Sequence, residues 1–153
     1  ISAATFDEHL KHKKIKLIIN IDKDHQIHIS KNCFLNNIVN NIISNAVKFS
    51  FEHSTIEVFS YQNDEILSVH FKDYGTGISA ANIHEIFYTN HTISTPGTLN
   101  ETGTGFGANI MREYVELFNG KLEIKSQHNK SLTTEFGTEI ILSFPIESYS
   151  DLI

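Results

Sequence analysis

Hydrophobic and polar positions in this 153-residue chain follow two periodicities, and the switches between them mark the elements. From Asn32 to Phe49 the residues Leu35, Ile38, Val39, Ile42, Ile43, Ala46 and Phe49 recur at three- and four-residue steps, the core stripe of a long helix. Thr55 to Tyr61 and Ile66 to Lys72 alternate and are rich in β-branched residues. They predict two strands joined by the turn residues Asn63-Asp64. Ile15 to Asn20 and Gln26 to Ile29 read as short strands, as do Leu122 to Ser126 and Thr138 to Phe144, the last closed by Pro145. Ser79 is placed to N-cap a short helix ending near Phe87. A second long helix runs from Gly105 to Phe118, with Asn119-Gly120 as its C-terminal stop. Tyr88 to Thr102 is polar and aperiodic around Pro96-Gly97; a loop that long inside a compact domain is usually functional or disordered. The layout is α+β, a two-layer sandwich of one mixed sheet with helices packed on one face.

Composition narrows the class. A hydrophobic content of 40% excludes a disordered segment, and the length suits one domain with one core. No apolar run approaches the roughly 20 residues of a transmembrane helix, and Ile1 to Leu10 lacks the pattern of a signal peptide. Ile1 is not a natural start, so the chain reads as part of a longer protein. The net charge of −6 argues against nonspecific nucleic-acid binding, which runs on basic patches. The single cysteine, Cys33, fits a reducing compartment and is read as a small core residue of the helix rather than a reactive thiol. The pairs His9/His12 and His25/His28 lack partners at zinc-site spacing and are read as surface histidines.

Three segments carry candidate chemistry. Asn37, Asn41, Asn45 and Lys48 share one narrow sector of the long helix, beside its core stripe. Solvated faces normally carry Glu and Lys pairs; a chain simply rich in asparagine is the bland alternative. An asparagine oxygen can serve Mg²⁺ without adding negative charge beside a polyphosphate, and Lys48 can place a point charge on a phosphate. Next, Asp73-Tyr74-Gly75-Thr76-Gly77-Ile78 puts a carboxylate at a strand end, followed by two glycines that permit positive φ and close backbone approach. Such a carboxylate can accept from an exocyclic amine such as adenine N6. An ordinary strand-to-helix turn is the alternative. Finally, Gly103-Thr104-Gly105-Phe106-Gly107 opens a helix, where free N–H groups and the dipole favour phosphate. It matches neither a Walker A loop nor a dinucleotide fingerprint.

In this order and spacing, together with Phe87 and the long loop, these segments resemble the catalytic and ATP-binding domain of sensor histidine kinases. That domain belongs to the superfamily that includes gyrase, Hsp90 and MutL ATPases (GHKL). The resemblance implies the Bergerat ATP-binding fold over Ile15 to Ile146, with residues 1–14 an upstream segment, 15–147 the catalytic domain and 148–153 a tail. It implies that Asn45 holds Mg²⁺, that Asn41 supports and Lys48 contacts the phosphates, and that Asp73 binds adenine. Gly75, Gly77 and Ile78 would shape the pocket, with Phe87 at the F-box position. Gly103, Thr104, Gly105, Phe106 and Gly107 would form the second glycine box, Gly137-Thr138 would support Asp73, and Tyr88 to Thr102 would be the ATP lid.

Position 41 bears on the chemistry. Superfamily ATPases commonly place a water-activating glutamate there; the amide of Asn41 cannot act as a general base, which favours phosphotransfer over hydrolysis. The lid departs from the family pattern, with Asn100-Glu101-Thr102 where a Lys or Arg is common, so a glutamate is expected near the phosphates. His91 could lend the lid a charge. His84-Glu85-Ile86 lacks the proline of a phosphoacceptor box and suits the F-box helix. The implied partners are ATP, a histidine-bearing dimerisation domain of the same protein and a response-regulator receiver domain. The parent would be homodimeric and cytoplasmic, or the cytoplasmic part of a membrane receptor. An ATPase or serine kinase of the same fold, or a non-catalytic nucleotide-binding module, are the alternatives.

Overall fold

The computed structural model describes residues 7–89, 94–127 and 137–146. In chain order the elements are α1 (Asp7–His12), β1 (Lys16–Asn20), a continuous helix α2 (residues 31–49), β2 (Thr55–Gln62), β3 (Ile66–Asp73), α3 (Ala80–Tyr88), α4 (Gly107–Leu117), β4 (Lys121–Ser126) and β5 (Thr138–Pro145). The strands form one sheet in the order β1-β2-β3-β5-β4. β1 runs parallel to β2, with α2 as the connection a parallel pair requires; the other pairings are antiparallel.

The core lies between one face of the sheet and the helices. Ile38, Val39, Ile42, Ile43 and Val47 of α2 meet Ile56 and Val58 of β2, Val69 and Phe71 of β3, and Leu142 and Phe144 of β5; Met111 and Val115 of α4 close the layer. The helical stripe and the period-2 alternation therefore supply opposite walls of one interior. Asn63 closes the β2–β3 hairpin: its Oδ1 accepts from the N–H groups of Glu65 and Ile66 at 2.9 and 2.7 Å.

Four features differ from the sequence reading. Gln26 to Ile29 is not a strand: Ile27 and Ile29 pack against the core from irregular backbone, without a ladder partner among the described residues. The helix expected from Gly105 begins at Gly107, because Gly105 sits at φ 77°, outside helical geometry. α2 contains a π-helical stretch, Phe34–Val39, which includes Asn37, the first residue of the asparagine sector. The segment before β1 is built into the domain: α1 buries Leu10 in the shared core, and Lys13, just after it, is 2% exposed. The tail 148–153 and His91 lie outside the described residues.

Candidate functional site

Alternation along β3 turns Leu67, Val69, Phe71 and then Asp73 to the core side. The side chain of Asp73 is thus buried at the strand end, 7% exposed. Its Oδ1 accepts from the Gly75 N–H at 2.9 Å, and the Thr138 N–H also reaches its carboxyl. Burial outweighs these donors and pushes the carboxyl up to about 6. A buried acid near neutrality is suited to a ligand that donates to it.

The two glycines around Asp73 act by size. A side chain at Gly75 would collide with the Phe49 carbonyl at the end of α2. At Gly137 a Cβ would stand 2.6 Å from Gly75 N and 2.8 Å from Asp73 Oδ1. Ser126, which the sequence reading missed, ties this corner together. Its Oγ donates to the Gly137 carbonyl at 2.8 Å, accepts from the Ile78 N–H at 2.7 Å, and lies 2.9 Å from Thr138 Oγ1. A serine ending a strand carries no distinguishing sequence signal.

A cavity of about 260 Å³ opens above Asp73. Asn41, Asn45 and Lys48 of α2 form one wall, and Ile78, Phe87 and Thr138 join Asp73 at its base. Gly103, Thr104, Gly105 and Gly107 form the opposite rim. Ser79 builds the adjoining element: it caps α3 by accepting from the Asn82 N–H at 3.3 Å. Arg112 of α4 donates to the Phe87 carbonyl at 2.8 Å, joining α4 to the end of α3.

Close approach defines the rim. A Cβ on Gly103 would lie 2.9 Å from Lys48 Nζ, and one on Gly107 would lie 2.8 Å from Asn41 Oδ1. Asn41 itself donates from Nδ2 to the Asn37 carbonyl at 2.7 Å. Lys48 sits over the Phe49 ring at 4.9 Å. Burial holds its ammonium below the ordinary lysine range, and Glu101 pushes the other way.

Of the candidate residues, Gly75, Gly77 and Phe106 do not line the cavity. Gly75 permits the packing just described, Gly77 turns the chain at φ 68°, and Phe106 is 55% exposed as the residue preceding α4. Glu101 lies close enough to Lys48 to act on its charge but does not line the cavity. Its carboxylate pairs with Lys13 at 2.5 Å and accepts from the Leu99 N–H at 2.8 Å. Burial raises the Glu101 carboxyl, but Lys13 and nearby backbone N–H groups outweigh it and hold the group below the ordinary range.

A family model described as histidine kinase-, DNA gyrase B-, and HSP90-like ATPase matches residues 30–148. The chain belongs to this family. Among curated relatives, it is 30% identical over 132 residues to the sensor histidine kinase WalK of Bacillus subtilis, covering 84% of this chain and 21% of that protein. It is 33% identical over 132 residues to the autoinducer 2 sensor kinase/phosphatase LuxQ of Vibrio vulnificus, covering 83% and 15%. The staphylococcal (Staphylococcus epidermidis) kinase ArlS is 26% identical over 142 residues, covering 93% and 27%. The chain thus spans about a quarter or less of these relatives. Solved structures share the fold: the catalytic domain of histidine kinase ThkA at TM-score 0.74 and 19% identity, covering 94% of this chain and 88% of that one. The mycobacterial sensor histidine kinase MprB matches at TM-score 0.72 and 22% identity, covering 93% and 89%. Among the described residues no helix is long and apolar enough to cross a membrane.

Proposed function

We propose that this chain is the ATP-binding catalytic unit of a two-component sensor histidine kinase. The observation that carries the reading is the cavity itself, which has a buried carboxylate at its base and a glycine helix start facing Lys48 and two asparagines at its rim. Asp73 accepts from adenine N6. Ile78 and Phe87 cover the ring, and Thr138 holds the carboxyl in place. The phosphates extend toward Lys48 and the first turn of α4, whose N–H groups have no intrahelical partners.

The neutral side chains of Asn41 and Asn45 fit a Mg²⁺ that arrives with the nucleotide: they add oxygen donors without adding negative charge, and Asn45 is the assigned ligand. Such a metal neutralises phosphate charge when bound. The chain's own residues orient the nucleotide and present its γ-phosphate outward. A histidine nitrogen of the dimerisation domain attacks phosphorus; the P–N bond forms, the bond to the β-phosphate oxygen breaks, and ADP leaves. Asn41, with no proton-accepting group and its amide engaged by Asn37, supports transfer to histidine over attack by water.

The match to full-length ShkA in complex with AMPPNP, at TM-score 0.68, supports an ATP analogue's fitting this fold. The relatives' names support a parent protein that is a sensor histidine kinase; we infer that it is a homodimer with its catalytic part in the cytoplasm. A response-regulator receiver domain would take the phosphate onward. Two experiments test the reading. Calorimetry of the chain with ATP and Mg²⁺ should show saturable binding, weakened about ten- to hundredfold in Asp73→Asn. Incubation of the parent protein with ATP should give an acid-labile, base-stable phosphoprotein. Phosphate release without a phosphohistidine would favour an ATPase instead.

A further inference from the structure

Lys13 belongs to no part of the site described above, yet it is among the most completely buried side chains, at 2% exposure. Its Nζ lies at the C-terminus of α2, 2.9 Å from the Val47 carbonyl, 2.8 Å from that of Lys48 and 3.3 Å from that of Ser50. A cation there satisfies carbonyls the helix leaves open and complements its dipole. The same ammonium donates to Thr98 Oγ1 at 2.7 Å and pairs with Glu101 at 2.5 Å. Both of these partners belong to the loop between α3 and α4.

That part of the loop is a compact turn docked on α2. Within it, the Gly97 N–H donates to the Glu101 carbonyl and the Asn100 N–H to the Gly97 carbonyl, each at 3.0 Å. It is fastened by the Thr98 N–H to the Lys48 carbonyl at 3.1 Å and by the Thr98 hydroxyl to the Ser50 carbonyl at 2.8 Å. Two residues beyond Glu101, Gly103 abuts Lys48 Nζ, and the Gly103 carbonyl accepts from Ser94 Oγ at 2.7 Å. Lys13 therefore bonds both strands of the contact that fixes where Lys48 and Gly103 meet.

We propose that Lys13 is a positioning residue for the phosphate end of the site. Through Thr98 and Glu101 it holds the returning half of the loop on the end of α2, and so holds Gly103 against Lys48. The inference rests on reading the cavity as an ATP site. It assigns Glu101 the task of anchoring the loop, and it makes the loop's placement depend on the segment ahead of β1, where Lys13 lies.

The test compares Lys13→Met, Glu101→Ala and Thr98→Val; the last two reach the contact from the loop side and leave the buried lysine in place should Lys13→Met fold poorly. Hydrogen exchange of the nucleotide-free chain is read in peptides covering 94–103 and in β2–β3, and ATP and adenosine are titrated by calorimetry. Expected are exchange at 97–101 faster by about tenfold or more, unchanged exchange in β2–β3, and ATP affinity lower by about tenfold with adenosine affinity unchanged. Lys13→Met combined with Glu101→Ala should lose less than the product of the single losses. Unchanged loop exchange in both loop-side variants would overturn the proposal, as would parallel loss of ATP and adenosine binding. Wild-type chain that binds no ATP, with loop exchange still responding, would instead sink the ATP reading and leave the anchoring intact.

Discussion

At the scale of single residues, Asp73 decides the most. Its folded value of about 6 stands above its ordinary 3.8, so the folded chain holds this proton more tightly than the unfolded chain. Asp73 therefore makes its best contribution to stability below about pH 4, and that contribution is lost as pH rises through 6, a change of about 3 kcal/mol. Asp73→Asn should flatten this slope in urea titrations across pH 4 to 7 and leave the fold intact. A donor from adenine reverses the preference. Adenosine affinity of the wild-type chain should rise as pH goes from 5 to 7, and Asp73→Asn should weaken binding about ten- to hundredfold. Lys48→Met tests the other end: ATP affinity should fall and adenosine affinity hold, read by the same calorimetry. Asp73 was legible in the sequence because its strand-end turn stands between the asparagine helix and the second glycine cluster; alone, the motif also fits an ordinary strand-to-helix turn. Ser126 and Lys13 were not, because hydroxyls at strand ends and lysines in the run Lys11 to Lys14 look alike until packing selects one.

At the scale of elements, the site is made where ends meet. The C-terminus of β3, the C-terminus of α2 and the N-terminus of α4 converge, and glycines allow the convergence. Gly75→Ala and Gly137→Ala each drive a methyl into backbone, so each should destabilise by about 1–3 kcal/mol or more, measured by thermal unfolding. Ser79→Ala removes the cap of α3 and should cost about 1 kcal/mol, with a smaller effect on nucleotide affinity. The long helix and the β2–β3 hairpin were readable from periodicity and from Asn63, because both are set by local pattern. The π-helical stretch of α2 and the irregular path of Gln26 to Ile29 were not, since apolar spacing alone does not say which backbone delivers it.

At the scale of the whole molecule, the core and the cavity above Asp73 share walls, so damage to either reaches the other. Leu142 is fully buried at the centre of the layer, and Leu142→Ala should cost about 2–5 kcal/mol by chemical denaturation. A chain begun at Ile15 would lose Leu10 from the core and Lys13 from the end of α2. It should unfold at lower temperature and, on the proposal above, bind ATP more weakly. By itself the sequence determined most of the element types and the mixed sandwich, and it singled out Asp73, Asn41, Asn45 and Lys48, which line one cavity. Each of these is written in local spacing: a helical stripe, an alternating strand, a glycine where backbone must turn. Only the tertiary structure decided which way Glu101 points and which lysine it meets, that Gly75 and Gly137 serve packing, and that the segment before β1 belongs to the same body. Those outcomes depend on residues 26 to 88 positions apart in the chain, whose contacts exist only once burial has chosen among chemically similar side chains.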